Sequence, residues 1–396
     1  MVGPTPPREG RKKISTARRI LSNDPGNSGI NHHSHPDSTP MKPSRFALCC
    51  LGLMTLTLPT SGHAQTTATT DPVGFMSINI APGNGTTTRA LTLLSAPLLT
   101  SATKSDGVTP ADGAITGVIS SLTSNTITNT SAAWTAGELS AVATPKVLRI
   151  LSGAAEGRTF LLSTTVQNSA TTVTLHSTEN TTDLTTLGIA TGANGDRYQI
   201  FDCDTISSFF GDTSLIVKNN NPDLADNILL FVGGAWSTYY FHVTNNRWTR
   251  RALGSPDATN QPVKPEAGLM FNRLGSAAMA LNITGSVPMT KRADVVKSSG
   301  ITFLGTHWPV NSTLGSSGIQ SIAGWTSNAS FNSADQVQLL ISGTWRKYWF
   351  DGTNWRRSAL GSPISDNESI PAGTAIMINK TNASGSDSLL TKNRPF

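Results

Sequence analysis

Two segments of this chain, about 109 residues apart, spell nearly the same pattern. Ala225-Asp226-Asn227-Ile228-Leu229-Leu230-Phe231 leads through Trp236, Tyr239 and Phe241 to Trp248 and then Ala252-Leu253-Gly254-Ser255-Pro256. Ala334-Asp335-Gln336-Val337-Gln338-Leu339-Leu340 leads through Trp345, Tyr348 and Phe350 to Trp355 and then Ala359-Leu360-Gly361-Ser362-Pro363. A duplicated unit of short alternating runs broken by Gly and Asn turns restricts the chain to an all-β architecture. The turn after the aromatic strand is two residues longer in the first copy, yet both copies stay in phase around it. A turn absorbs such a change without flipping the faces of its flanking strands, so each copy reads as a three-strand meander.

Period-two alternation sorts the aromatics by face. Tyr239 and Phe241 share one side of their strand, and Trp236 and Tyr240 the other; Tyr348 and Phe350 are set against Trp345 and Trp349 in the same way. The Tyr/Phe face is expected to be core, and the Trp236 and Trp345 face is expected to be partly covered by the neighbouring repeat. Two further readings stay open for the outward face. Exposed rings could stack on sugars, or Trp, Tyr and Arg could anchor a protein partner. The candidate ligand or partner residues are therefore Trp236, Tyr240, Trp248, Arg250, Trp345, Trp349, Trp355 and Arg356.

The N-terminal region carries a separate signal. Met41 to Arg45 is a short basic stretch, Phe46 to Leu58 is apolar, and Gly62-His63-Ala64 precedes Gln65. These are the three parts of a secretory signal peptide cleaved after Ala64, and the apolar run is short for a membrane span. Residues 1–40 read as a disordered basic leader or an over-extended start, with Met41 the expected initiator. Arg18-Arg19 stands too far ahead of the apolar run for a twin-arginine signal. Leu48 before Cys49 disfavours a lipoprotein site. Export to the periplasm, cell surface or extracellular space is expected, with no transmembrane anchor in the mature chain.

Removing that leader changes the electrostatics. Eight of the 30 Lys and Arg and three of the 24 acids lie in residues 1–64, which leaves 22 basic and 21 acidic residues in the mature chain. A nearly neutral chain makes no case for nucleic acid. Cys49 and Cys50 leave with the signal peptide, so Cys203 stands alone and an intramolecular disulfide is excluded. Stability must then come from packing.

Thr, Ser, Asn and Gly fill the rest of the chain, which favours half-exposed strands and tight turns. Residues 65–113 read as the first strands of the framework, with Val73 to Ile80 one strand, Asn84-Gly85 a turn and Arg89 to Leu94 another. Residues 114–205 read as an inserted small β module with strands at 114–119, 126–128, 146–151, 158–162, 171–175 and 196–201. The tracts 164–174 and 179–186 are expected to contribute strands rather than linker. Residues 206–290 and 291–396 are the two aromatic repeats. The expected fold is a duplicated antiparallel framework, sandwich-like or barrel-like, and the two copies could share one core or build two.

Chemical constellations are scarce. His176, His242 and His307 have no metal-ligand spacing, so no metal and no cofactor are expected. Gly192-Ala193-Asn194-Gly195 and Gly315-Ser316-Ser317-Gly318 precede no helical pattern and are not read as phosphate loops. Asp202 and Asp204 flank Cys203 and read as loop chemistry, and the thiol as buried and inert.

The unit from Ala334-Asp335 through Trp345, Tyr348, Phe350 and Trp355 to Leu360-Gly361-Ser362-Pro363 and Ile370-Pro371-Ala372-Gly373 resembles the C-terminal signature of an uncharacterised exported protein family of Verrucomicrobia-like bacteria. The resemblance implies a signal peptide and a Gly/Thr/Asn-rich β chain with no assigned activity. The function expected is that of an exported, non-catalytic structural or adhesion-type envelope protein, whose partner is an envelope protein or polysaccharide. A carbohydrate-binding protein using exposed Trp residues is the alternative. An exported glycan hydrolase would need paired carboxylates that the sequence does not place.

Overall fold

The structure is a computed structural model that describes residues 73–100, 115–211, 214–381 and 385–395. The expected leader over residues 1–40 and the expected signal peptide over 41–64, with Cys49 and Cys50, lie outside these residues. Antiparallel strands dominate, and among the described residues every sheet is open, so of the two frameworks expected the sandwich-like one is found. Among the described residues no helix is long and apolar enough to cross a membrane.

Each copy contributes seven longer strands. In the first they are β1 (Val73–Ile80), β2 (Ala90–Ser95), β3 (Asn227–Val232), β4 (Ala235–His242), β5 (Arg247–Arg250), β6 (Gly268–Arg273) and β7 (Met279–Ser286). In the second they are β8 (Arg292–Val296), β9 (Gly300–Gly305), β10 (Gln336–Ile341), β11 (Thr344–Phe350), β12 (Trp355–Arg357), β13 (Ala375–Lys380) and β14 (Ser388–Lys392). The first five-stranded sheet runs β5-β4-β3-β6-β2 and the second β12-β11-β10-β13-β9, the same order. Likewise β1 pairs with β7 and β8 with β14. The duplication therefore reaches back to Val73, and the inserted module interrupts the first copy after its second strand.

Register repeats as faithfully as order. Ile228 lies opposite Tyr239 and Phe241 opposite Trp248; Val337 lies opposite Tyr348 and Phe350 opposite Trp355. Alternation places these residues on one face, which packs against the β1–β7 or β8–β14 ribbon. The result is two cores. One holds Ile228, Tyr239, Phe241, Trp248, Phe271, Leu281 and Ile283, and the other Val337, Tyr348, Trp355, Ile378, Val296 and Leu390. The first core is closed by the helix Ile206–Phe210, whose Thr205 and Ser208 form a reciprocal capping box at its start.

The opposite faces of the two sheets meet each other. Leu91, Leu93, Leu229, Phe231 and Met270 of the first copy pack with Phe303, Leu340, Trp345, Ala375 and Met377 of the second. The backbone contacts are reciprocal: Ser95 N donates to Gly373 O at 2.8 Å, and its counterpart Gly305 N donates to Glu266 O at 2.7 Å. A contact and its mirror across one interface is the arrangement of an isologous dimer, here within one chain.

The inserted module builds its own layers. Strands Ile115–Val118, Lys146–Ile150, Thr159–Leu161 and Arg197–Asp202 form one sheet, and Ser121–Leu122, Thr126–Thr128 and Thr172–Thr174 another. Ile127, Leu148, Phe160, Val173, Leu184, Tyr198 and Ile200 are buried between them. The tract 179–186 departs from the strand expected there. It carries short 3-10 turns at Ser177–Glu179 and Leu184–Thr186, because His176 and Asp183 side chains accept from Thr178 N and Thr185 N.

Candidate interaction edges

The aromatic hairpins are pillars before they are surfaces. Trp248 and Trp355 are fully buried, each packed edge-on or tilted against its cross-strand Phe241 or Phe350. Tyr240 and Trp349 face the other way but are buried too: Tyr240 lies under Ser255, its hydroxyl 3.3 Å from Ser255 Oγ, and Trp349 lies under Phe331. None of these four rings can stack on a ligand, which corrects their assignment as candidate binding residues. Trp345 is half-buried in the seam between copies. Trp236 is 37% exposed and rests on Phe231 and on Phe303 of the other copy. Arg250 is exposed, whereas Arg356 is held by Asp351 at 2.5 Å and by Ser362 O. The structural counterpart of Arg250 is Arg357, since both lie opposite the core tyrosine of their copy.

Ala-Asp at the head of each repeat has a purpose that alternation alone does not reveal. Asp226 accepts from Val217 N, Leu274 N and Gly275 N and pairs with Arg273 at 3.1 Å. Asp335 accepts from Thr326 N and Thr381 N and pairs with Lys380 at 2.8 Å. Both pairs are buried. A buried carboxylate is tolerable only with this density of donors and a countercharge, so each pair fixes where its sheet meets the preceding loop.

A third buried charge cluster joins the inserted module to both copies. Arg149 of the module and Arg292 of β8 both pair with Glu266, which precedes β6, and all three are buried. Burial alone would raise the Glu266 carboxyl, but Arg292 and Arg149 hold it below the usual carboxylate range. Arg149 is pushed down to about 9 by burial and by the nearby Arg292. His307 and Asp294 meet at 2.6 Å beside them, and Arg292 lies over the Trp308 ring. Asp202, flanking Cys203, is paired with Lys146, and burial pushes the Cys203 thiol up.

The outer edges show a different kind of duplication. After β5 the chain turns through Ala252-Leu253-Gly254-Ser255 and returns along the edge, with Arg250 N donating to Pro256 O and Ala258 N to Trp248 O. After β12 the turn Ala359-Leu360-Gly361-Ser362 does the same, with Arg357 N to Pro363 O and Ser365 N to Trp355 O. Gly254 and Gly361 sit at φ +76° and +78°, and Ser255 and Ser362 both at +45°. A non-glycine residue in that region costs about 1 kcal/mol or more, and both copies carry it. The returning segment covers the outermost strand and blocks pairing with another chain. That accounts for Gly, Ser and Pro.

It does not account for leucine. Leu253 and Leu360 occupy the second position of the turn, which admits most residue types, and both are fully exposed. The sequence displayed this motif twice, but period-two reasoning assigns faces within strands and is silent about the tip of a turn. Comparisons with protein-family models, with curated proteins and with solved structures return no match.

Proposed function

We propose that the chain is an exported, non-catalytic structural or adhesion-type protein of the cell envelope, acting through its two equivalent outer edges. The observation that carries this reading is the pair of fully exposed leucines, Leu253 and Leu360, held on identically strained turns in both copies. Rigid presentation at low entropic cost is what a contact surface needs, and two copies provide it twice. The signal-peptide pattern ending at Ala64, and the resemblance to an exported β-rich family, support the proposed compartment. The burial of Trp248, Trp355, Tyr240 and Trp349 leaves the sugar-stacking alternative with Trp236 as its exposed ring.

Fractionation of producing cells, with N-terminal sequencing, tests it. The protein is expected in the envelope or medium and to begin at Gln65. The Leu253→Ser, Leu360→Ser double variant is expected to be exported equally but to wash out of the envelope fraction. A wild-type protein retained in the cytoplasm with its N-terminus intact would overturn the reading.

A further inference from the structure

We infer that the two outer edges bind the surface of an anionic phospholipid bilayer, each inserting its turn leucine while the adjacent cations meet the lipid phosphates. The inference rests on the function proposed above and names its partner. Strands β11 and β12 carry Arg346, Lys347, Arg356 and Arg357 with no acidic residue, and β5 carries Arg247 and Arg250 with none. Some of these charges are committed: Arg247 to Asp257, Arg356 to Asp351 and Arg346 to Glu368. Among the described residues Arg250, Lys347 and Arg357 have no carboxylate at ion-pair distance, and Arg250 and Lys347 are exposed.

These charges stand close behind the tips. Arg250 and Arg357 each donate their backbone N–H to the proline that closes the turn, and Lys347 O accepts from Ser358 N, two residues before Leu360. An apolar tip with cations one layer behind it matches the cross-section of a lipid interface, where acyl chains lie beneath a plane of phosphates. A protein partner would require a contiguous complementary patch, whereas a single protruding leucine finds a full apolar environment in lipid. Moving one leucine side chain out of water is worth roughly 10- to 100-fold in affinity, which is weak by itself. Two tips linked in one rigid chain multiply rather than add when both engage.

The test is co-sedimentation of the purified protein with phosphatidylcholine vesicles with and without phosphatidylglycerol, at low and high salt. Wild type is expected to sediment with the phosphatidylglycerol vesicles, and less so at high salt. Leu253→Ser and Leu360→Ser should each weaken binding roughly 10-fold or more, and the double variant should abolish it with an unchanged unfolding transition. Arg250→Gln with Lys347→Gln should weaken binding to the anionic vesicles. Failure of the wild type to bind, equal binding to pure phosphatidylcholine, or wild-type binding by the double leucine variant would each overturn the inference. Vesicle binding does not depend on export. A negative result here leaves the envelope reading standing, and a cytoplasmic protein that binds vesicles fails that reading alone.

Discussion

Glu266 occupies the left-handed backbone position that Gly373 occupies in the second copy, at φ +68° against +75°. The equivalence follows from register, since Gly268 lies opposite Ser95 and Ala375 opposite Gly305. The first copy thus accepts strain where the second uses glycine, and in return places a carboxylate between Arg149 and Arg292.

Replacing Glu266 by Gly sets two effects against each other. Relief of the strained φ would gain about 1 kcal/mol. Leaving two buried guanidinium groups without their carboxylate would cost about 3–5 kcal/mol. The Glu266→Gly variant is therefore expected to unfold at lower denaturant concentration than wild type in an equilibrium urea titration. A variant as stable as wild type would mean that the carboxylate contributes no more than the roughly 1 kcal/mol that relief of the strained φ returns.

The paired aspartates provide an exchange experiment. Arg273 already fills in the first copy the role of Lys380 in the second, so Lys380→Arg should be tolerated within about 1 kcal/mol. Lys380→Met strands Asp335 and should cost about 3–5 kcal/mol. Thermal unfolding of the two variants reads the difference directly.

The two faces of β11 should respond unequally to truncation. Tyr348 is fully buried in the second core and Trp345 half-buried in the seam. Tyr348→Ala should cost about 3–5 kcal/mol, near the value for other buried aromatics, and Trp345→Ala distinctly less. Chemical denaturation of both variants checks the order.

Much of this fold was legible in alternation. The strands of the inserted module, the core role of Tyr239, Phe241, Tyr348 and Phe350, and the partial covering of Trp236 and Trp345 by the other copy all follow from period-two patterns and the repeat. The full extent of the duplication was not. Strands β1 and β2 share little sequence with β8 and β9, and an inserted module separates them from the rest of their copy. The burial of Tyr240 and Trp349 was hidden for another reason: their covers, Ser255 and Phe331, come from loops, where no periodicity operates. Glu266 was visible only as a departure from the second copy, because its partners Arg149 and Arg292 lie far away in sequence.

Lys392 gives a pH signature. Burial pushes its ammonium down from the ordinary 10.5 to about 8. At pH 7 it is charged in both states, so the folded protein bears the full cost of burying the charge. Between about 8 and 10.5 the unfolded chain binds more protons, so this contribution to stability rises with pH. Lys392→Met should be more stable than wild type at pH 7, with the gap narrowing as pH rises through that window. A gap that stays constant with pH would contradict the burial of this charge.

The contact proposed for this protein is made from the turn tips and not from the aromatic pillars. Site-specific photo-crosslinking in the cells that produce the protein tests it most directly, with the probe placed in turn at Leu253, at Leu360 and at the exposed turn residue Thr353 as a control. Covalent adducts with envelope material are expected from both leucine positions and not from Thr353. Absence of adducts from Leu253 and Leu360, in protein that has reached the envelope, would contradict the claim.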